Sequence, residues 1–250
     1  MHTIRVAILV GSTLALLAFM AGCNSGEQPR QRGAPAPRLT HISRNRLSDS
    51  MTAPIRYLAL GDSTGAGVGA RDGGYVARLF QRIGRHRQGS ELTNLCVSGA
   101  TTSDVLRNQL DPALRADPHL VTLGIGINDI GHDISLEQFS KNYDEILSSL
   151  NSNTKAAIVL TNLPDISTAP RIPKPSRAEY HQLIVAFNRK IEEIASRHEV
   201  SVFDAYTITH EQLPSHPEFF SEDGFHPSDK GYEFWAEQMW PIIALTIGAD

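Results

Sequence analysis

The sequence predicts an α/β fold: a single-domain, three-layer α/β/α sandwich around a mostly parallel five-stranded sheet. Three observations carry this. Short, dense apolar runs recur from residue 55 onward, stretches with helical apolar spacing lie between them, and chemically useful residues cluster directly after the runs. Alternating strands and helices imply a parallel sheet covered on both faces. Ligands of such sheets bind beyond the carboxyl ends of the strands.

Residues 55–60 form the first apolar run, ending at Gly61. Residues 73–83 place Tyr75, Val76, Leu79, Phe80 and Ile83 at helical spacing. Residues 92–97 predict a second strand, and Ser103 a cap for a short helix to Leu110, closed by Asp111-Pro112. The third strand spans 120–125. Ser135 then opens a strong helix with Gln138 as capping-box partner; Leu136, Phe139, Tyr143, Ile146, Leu147 and Leu150 share one face. A fourth strand at 156–161 leads into a loop with Pro164, Pro170, Pro173 and Pro175. A helix over 177–197, a strand at 200–203 and a last helix from about Ser228 complete the pattern.

At 250 residues the chain is long enough for one domain with a substantial core, while two would be cramped. A hydrophobic share of 41% and a charged share of 20% are those of a globular protein. The net charge of -4 argues against a nucleic-acid partner. Two cysteines, Cys23 and Cys96, are too few for a disulfide framework or a cysteine metal cluster.

The first 22 residues read as an export signal: Arg5 precedes an apolar stretch from Val6 to Ala21, shorter than a membrane span. It ends in Met20-Ala21-Gly22-Cys23, which resembles the lipobox of bacterial lipoproteins. That resemblance makes Cys23 the lipidated first residue of the mature chain, in a cell envelope and anchored to a bacterial membrane. Cys96 is then expected as a buried core thiol. Residues 23–53, polar and carrying Arg30, Arg32, Arg38, Arg44 and Arg46, read as a flexible tether. The folded domain is expected over 54–250.

Four blocks at strand ends carry the chemistry. The first, Gly61-Asp62-Ser63-Thr64-Gly65, offers a serine on a glycine-rich turn; a serine hydroxyl becomes a nucleophile when a base takes its proton and donors hold the oxyanion. Ser98-Gly99-Ala100 and Gly126-Ile127-Asn128-Asp129 supply backbone and amide donors. With the Ser63 N–H these make three donors for an oxyanion. The fourth, Asp223-Gly224-Phe225-His226, puts a carboxylate one turn from a histidine base. Each block alone is an ordinary turn, and the other nine histidines, His198, His210 and His216 among them, read as solvated or structural.

Taken together, Gly61-Asp62-Ser63, Gly99, Gly126-x-Asn128-Asp129 and Asp223-x-x-His226 resemble the SGNH (GDSL-type) hydrolases, in family order over about residues 55–245. Thr64 stands where leucine is usual. The resemblance implies a flavodoxin-like sheet and a catalytic triad of Ser63, Asp223 and His226. It also implies an oxyanion hole of Ser63, Gly99 and Asn128, with Asp62 and Asp129 as structural neighbours. Gly61-x-Ser63-x-Gly65 also fits the α/β-hydrolase elbow, but that elbow follows several strands and this serine follows the first.

The implied reaction is hydrolysis of a carboxylic ester through an acyl-enzyme, with no metal or organic cofactor. Lipid, thioester and acetylated-glycan substrates all remain open, as does acyl transfer to an alcohol. Residues 162–176 and 210–222 are expected to wall the pocket. A non-catalytic lipid- or glycan-binding lipoprotein on the same fold is the reading from another class. A monomer is the default state.

Overall fold

A computed structural model describes residues 53–249. The expected export signal, Cys23 and the tether up to residue 52 lie outside the described residues.

In chain order the elements begin with β1 (Arg56–Gly61), α1 (Ser63–Ala66), α2 (Tyr75–His86) and β2 (Glu91–Asn94). Next come α3 (Thr102–Asp104), a π turn (Val105–Gln109), α4 (Leu110–Arg115), β3 (Leu120–Gly124) and α5 (Ile127–Gly131). They are followed by α6 (Leu136–Asn153), β4 (Ala157–Thr161), α7 (Arg177–Arg197) and β5 (Ser201–Phe203). The last are α8 (Ala205–Gln212) and α9 (Asp229–Ile247). The five strands form one sheet in the order β2-β1-β3-β4-β5, and every pairing is parallel. The chain reverses direction of sheet growth at β1, so the crevice between the β1 and β3 ends is the expected ligand position.

Strand periodicity builds the two cores. Leu58, Leu60, Val121, Leu123, Ile158, Leu160 and Val202 face α6 and α7, where Phe139, Tyr143, Ile146, Phe187 and Ile191 meet them. Tyr57, Ala59, Val159 and Phe203 face α2 and α9, against Leu79, Ile83, Tyr232 and Met239. Strands covered on both faces carry apolar residues at consecutive positions. Among the described residues no helix is long and apolar enough to cross a membrane.

Several boundaries depart from the sequence reading for identifiable reasons. Regular β2 ends at Asn94, whose side-chain oxygen accepts from the Cys96 N–H. The chain nevertheless keeps pairing with β1, since Leu95 and Val97 donate to the carbonyls of Ala59 and Gly61. Because β2 is an edge strand, Val97 is exposed and Cys96 as a whole is half-buried, but its thiol packs against the core as expected and burial raises its pKa. The predicted helix from Ser103 instead starts after Thr101, which makes a reciprocal capping box with Asp104. Nor does it stop at Asp111-Pro112. The π turn shifts the hydrogen-bond register, and Pro112 falls in the first turn of α4, where a missing N–H costs least. At α6, Ser135 caps as expected, but the Gln138 side chain turns to Asn142, so half of the box is made.

Candidate active site

The site is assembled on the carboxyl ends of β1 and β3. Gly61, at the end of β1, has φ of +151°, and a Cβ there would lie 2.3 Å from the Gly124 carbonyl oxygen of β3. Only glycine fits this close approach. Asp62 follows, nearly fully buried, and caps α1 by accepting from the Thr64 N–H and hydroxyl, both at 2.9 Å. Burial raises its pKa, and the Thr64 bonds oppose that rise. Ser63 is thereby fixed as the first residue of α1, where the helix ladder makes no use of its N–H.

The fourth block comes back to this point from the far end of the chain. His226 Nε2 lies 3.0 Å from Ser63 Oγ, and His226 Nδ1 lies 2.5 Å from Asp223 Oδ2. The other carboxylate oxygen, Oδ1, accepts from the Ser221 hydroxyl and from the N–H groups of Phe225 and His226, at 2.8 to 2.9 Å. Partial burial works against ionisation of Asp223, but these hydrogen bonds outweigh it and hold the carboxyl well below its usual range. The three residues therefore form one continuous chain of contacts, ending in a carboxyl group whose ionised form is favoured.

Gly99 and Asn128 line the same depression as Ser63 and His226, together with Ser98, Arg171 and Tyr180. Gly99 has φ of +81°, a left-handed conformation that favours glycine. The Asn128 side-chain amide gives one hydrogen to the Ala100 carbonyl at 2.9 Å, which fixes its plane and leaves the second to donate elsewhere. Asp129, fully buried, accepts from the N–H and hydroxyl of Thr102. It ties α5 to the start of α3, which follows the loop carrying Gly99. The five residues expected for the triad and the oxyanion hole are thus brought together, while Cys23 lies outside the described residues.

A residue that sequence reading missed lies beneath them. Gln109, in the π turn and 2% exposed, donates to the Gly61 carbonyl and accepts from the Gly61 N–H, each at 2.9 Å. A side chain so placed replaces a backbone partner for the turn that carries Ser63. Its only sequence signal is a polar residue on an otherwise apolar helical face.

On the other side of Ser63 opens a strongly apolar pocket. Ile208, Leu213, Phe219, Phe220, Phe234 and Trp235 line it, together with Ser63, Asn128 and His226. Both predicted wall segments contribute: Pro164 and Ile166 from the first, Gln212, Leu213, Phe219 and Phe220 from the second. The helix α8 in this wall was not anticipated.

A model of the GDSL-like lipase/acylhydrolase family matches residues 59–234. The spore germination lipase LipC of Bacillus licheniformis is 27% identical over 213 residues, covering 74% of this chain and 94% of that protein. Among solved structures, a variant of the Geobacillus stearothermophilus acetyl xylan esterase Axe2 superposes with a TM-score of 0.65 at 20% identity, over 79% of this chain and 98% of its own. LAE5, an alpha/beta hydrolase from the metagenome of Lake Arreo, Spain, gives 0.63 at 21%, covering 79% and 99%. Further Axe2 structures are catalytic mutants at a serine, an aspartate and a histidine.

Proposed function

Since this chain belongs to the GDSL-like lipase/acylhydrolase family, we propose that it hydrolyses carboxylic esters with Ser63 as nucleophile, His226 as general base and Asp223 as the carboxylate that orients the base. The observation that carries this is the unbroken contact chain from Ser63 Oγ through His226 to Asp223, at 3.0 and 2.5 Å.

Asp223 accepts from His226 Nδ1, which leaves Nε2 unprotonated and facing the serine hydroxyl. As Ser63 Oγ attacks the carbonyl carbon, its proton passes to Nε2. The oxyanion is taken up by the N–H groups of Ser63 and Gly99 and by the Asn128 amide; losing one such donor typically costs ~100- to 1000-fold in rate. His226 then protonates the departing alkoxide. A water that gives its proton to the same nitrogen attacks the acyl-enzyme and frees the acid.

The apolar pocket favours an acyl group longer than acetyl, because a short acyl chain leaves its aromatic lining in contact with water. The similarity to a lipase supports that choice over the acetylated glycans suggested by the xylan esterases. We further propose that Cys23 is lipidated and holds the enzyme at a membrane. Incorporation of labelled palmitate that disappears in Cys23→Ser would support this, and equal labelling would exclude it.

The decisive test pairs activity with labelling. Wild-type protein should turn over nitrophenyl esters, with octanoate ahead of acetate, and react with a fluorophosphonate probe; Ser63→Ala should do neither while keeping its circular dichroism. Labelling elsewhere than Ser63, or turnover retained in Ser63→Ala, excludes the assignment. A wild-type protein that binds lipid yet never labels would be a binding lipoprotein.

A further inference from the structure

Away from the ester site, Asp165, His181 and His210 converge from three elements: the loop after β4, α7 and α8. Their ligand atoms all lie within 4.8 Å of one another. We propose that these three residues bind a divalent transition-metal cation of the zinc class.

The geometry suits such an ion. His210 Nδ1 lies 2.7 Å and His181 Nδ1 3.2 Å from the same oxygen, Asp165 Oδ2. Zinc bonds of ~2.0–2.2 Å to nitrogen and oxygen place tetrahedral ligand atoms roughly 3.3–3.6 Å apart, so with all three ligand atoms inside 4.8 Å a cation enters with side-chain shifts of up to about an ångström. Two imidazoles and a carboxylate form a donor set suited to zinc and its neighbours in the series. Calcium and magnesium, which take oxygen ligands, are disfavoured.

Charge points the same way. The Asp165 side chain is 2% exposed, yet among the described residues no lysine or arginine pairs with it; its ion-pair partners are the two histidines. A buried carboxylate is costly unless a cation faces it. Its other oxygen is already occupied by the Ser167 N–H, and the Asp165 N–H donates to Thr209 Oγ1, so the carboxylate is held with Oδ2 towards the histidines. Orientation of this kind is what supporting shells of metal sites provide. His210 is 56% exposed, which gives an ion a way in and an outward position for water.

The ester chemistry has no need of this ion. What it would do is brace the apolar pocket. Pro164 and Ile166 flank Asp165, and Thr209 neighbours His210; all three line that pocket. One cation would join its loop wall to α7 and α8.

The test is zinc titration of tag-free protein against a chromophoric chelator, with thermal melting alongside. One equivalent should bind and, at ~100-fold excess over Kd, raise Tm by about 5–10 °C. Magnesium should do nothing. His181→Ala, His210→Ala and Asp165→Asn should each weaken binding by at least ~100-fold, whereas His216→Ala, outside the cluster, should keep it. Absence of saturable binding, equal binding in the cluster variants, or an equal response to magnesium would overturn the proposal and leave a carboxylate shared by two histidines.

Discussion

Asp223→Asn separates orientation of the base from the integrity of the fold. The side-chain oxygen that would remain can still accept from Ser221, Phe225 and His226 N–H, the three bonds that shape the 221–226 loop. What changes is the atom facing His226 Nδ1 at 2.5 Å: a carboxylate oxygen becomes an amide NH₂, a donor. Nδ1 must then accept, so the ring proton moves to Nε2 and points at Ser63 Oγ, where the base should be. The same inversion in a serine-histidine-aspartate triad lowers kcat by about 10⁴, equivalent to about 5.4 kcal/mol of barrier. Hydrolysis of nitrophenyl octanoate should therefore fall by about four orders of magnitude in kcat, with KM changed by less than about threefold because binding is untouched. Circular dichroism and Tm of the variant guard against a folding defect. A folded variant within about tenfold of wild-type kcat would refute the assignment of Asp223 and require another orienting group.

The remaining expectations concern support, specificity and pH. Gln109→Ala strips the partner from the buried Gly61 N–H, while the Gly61 carbonyl keeps the Val97 N–H; at about 1–3 kcal/mol for one unsatisfied group, denaturant unfolding should show a loss of about 1–3 kcal/mol, and a loss below about 0.5 kcal/mol would show that the turn holds itself. Ile208→Trp should fill the apolar pocket and invert the octanoate-to-acetate preference while acetate turnover stays within a few-fold; an unchanged ratio would place the acyl chain elsewhere. The depressed pKa of Asp223 has a definite sign: the folded state binds fewer protons than the unfolded one just below pH 4, so this stabilisation is complete above the ordinary carboxyl pKa and is lost on acidification through the folded value. Urea titrations between pH 2 and 5 should thus be shallower in pH for Asp223→Asn than for wild type, and parallel curves would contradict the depressed pKa.

What could be read in advance was what is local in the chain. Helix α7 matched its expected limits, and α6 began at its expected Ser135 cap, because apolar spacing and the cap lie within one segment. The pairing of Asp223 with His226 was legible for the same reason, one turn apart on the chain. Its meeting with Ser63, 163 residues away, followed from a sheet rule that gathers strand ends on one edge. Helix α5, which presents Asn128, is a single turn too short to leave a period.

Gln109 and Asp165 mark where such reading stops, and for a common reason. Each is a polar side chain serving a partner 16 to 48 residues away, and each depends on a register that no local pattern encodes. For Gln109 that register is the π turn: it carries the helix past Pro112 and sets a buried amide against Gly61. A regular α-helix over the same residues would rotate Gln109 off the Gly61 peptide by roughly the 100° that one inserted residue represents. The irregularity that defeated the predicted helix limit is therefore what supports the Ser63 turn. Restoring a regular helix by deleting one residue of 105–109 should unfasten that turn even with Gln109 kept, which Gln109→Ala alone cannot distinguish. A deletion variant that folds and retains full activity would show that the Gln109 contact is incidental to the π turn.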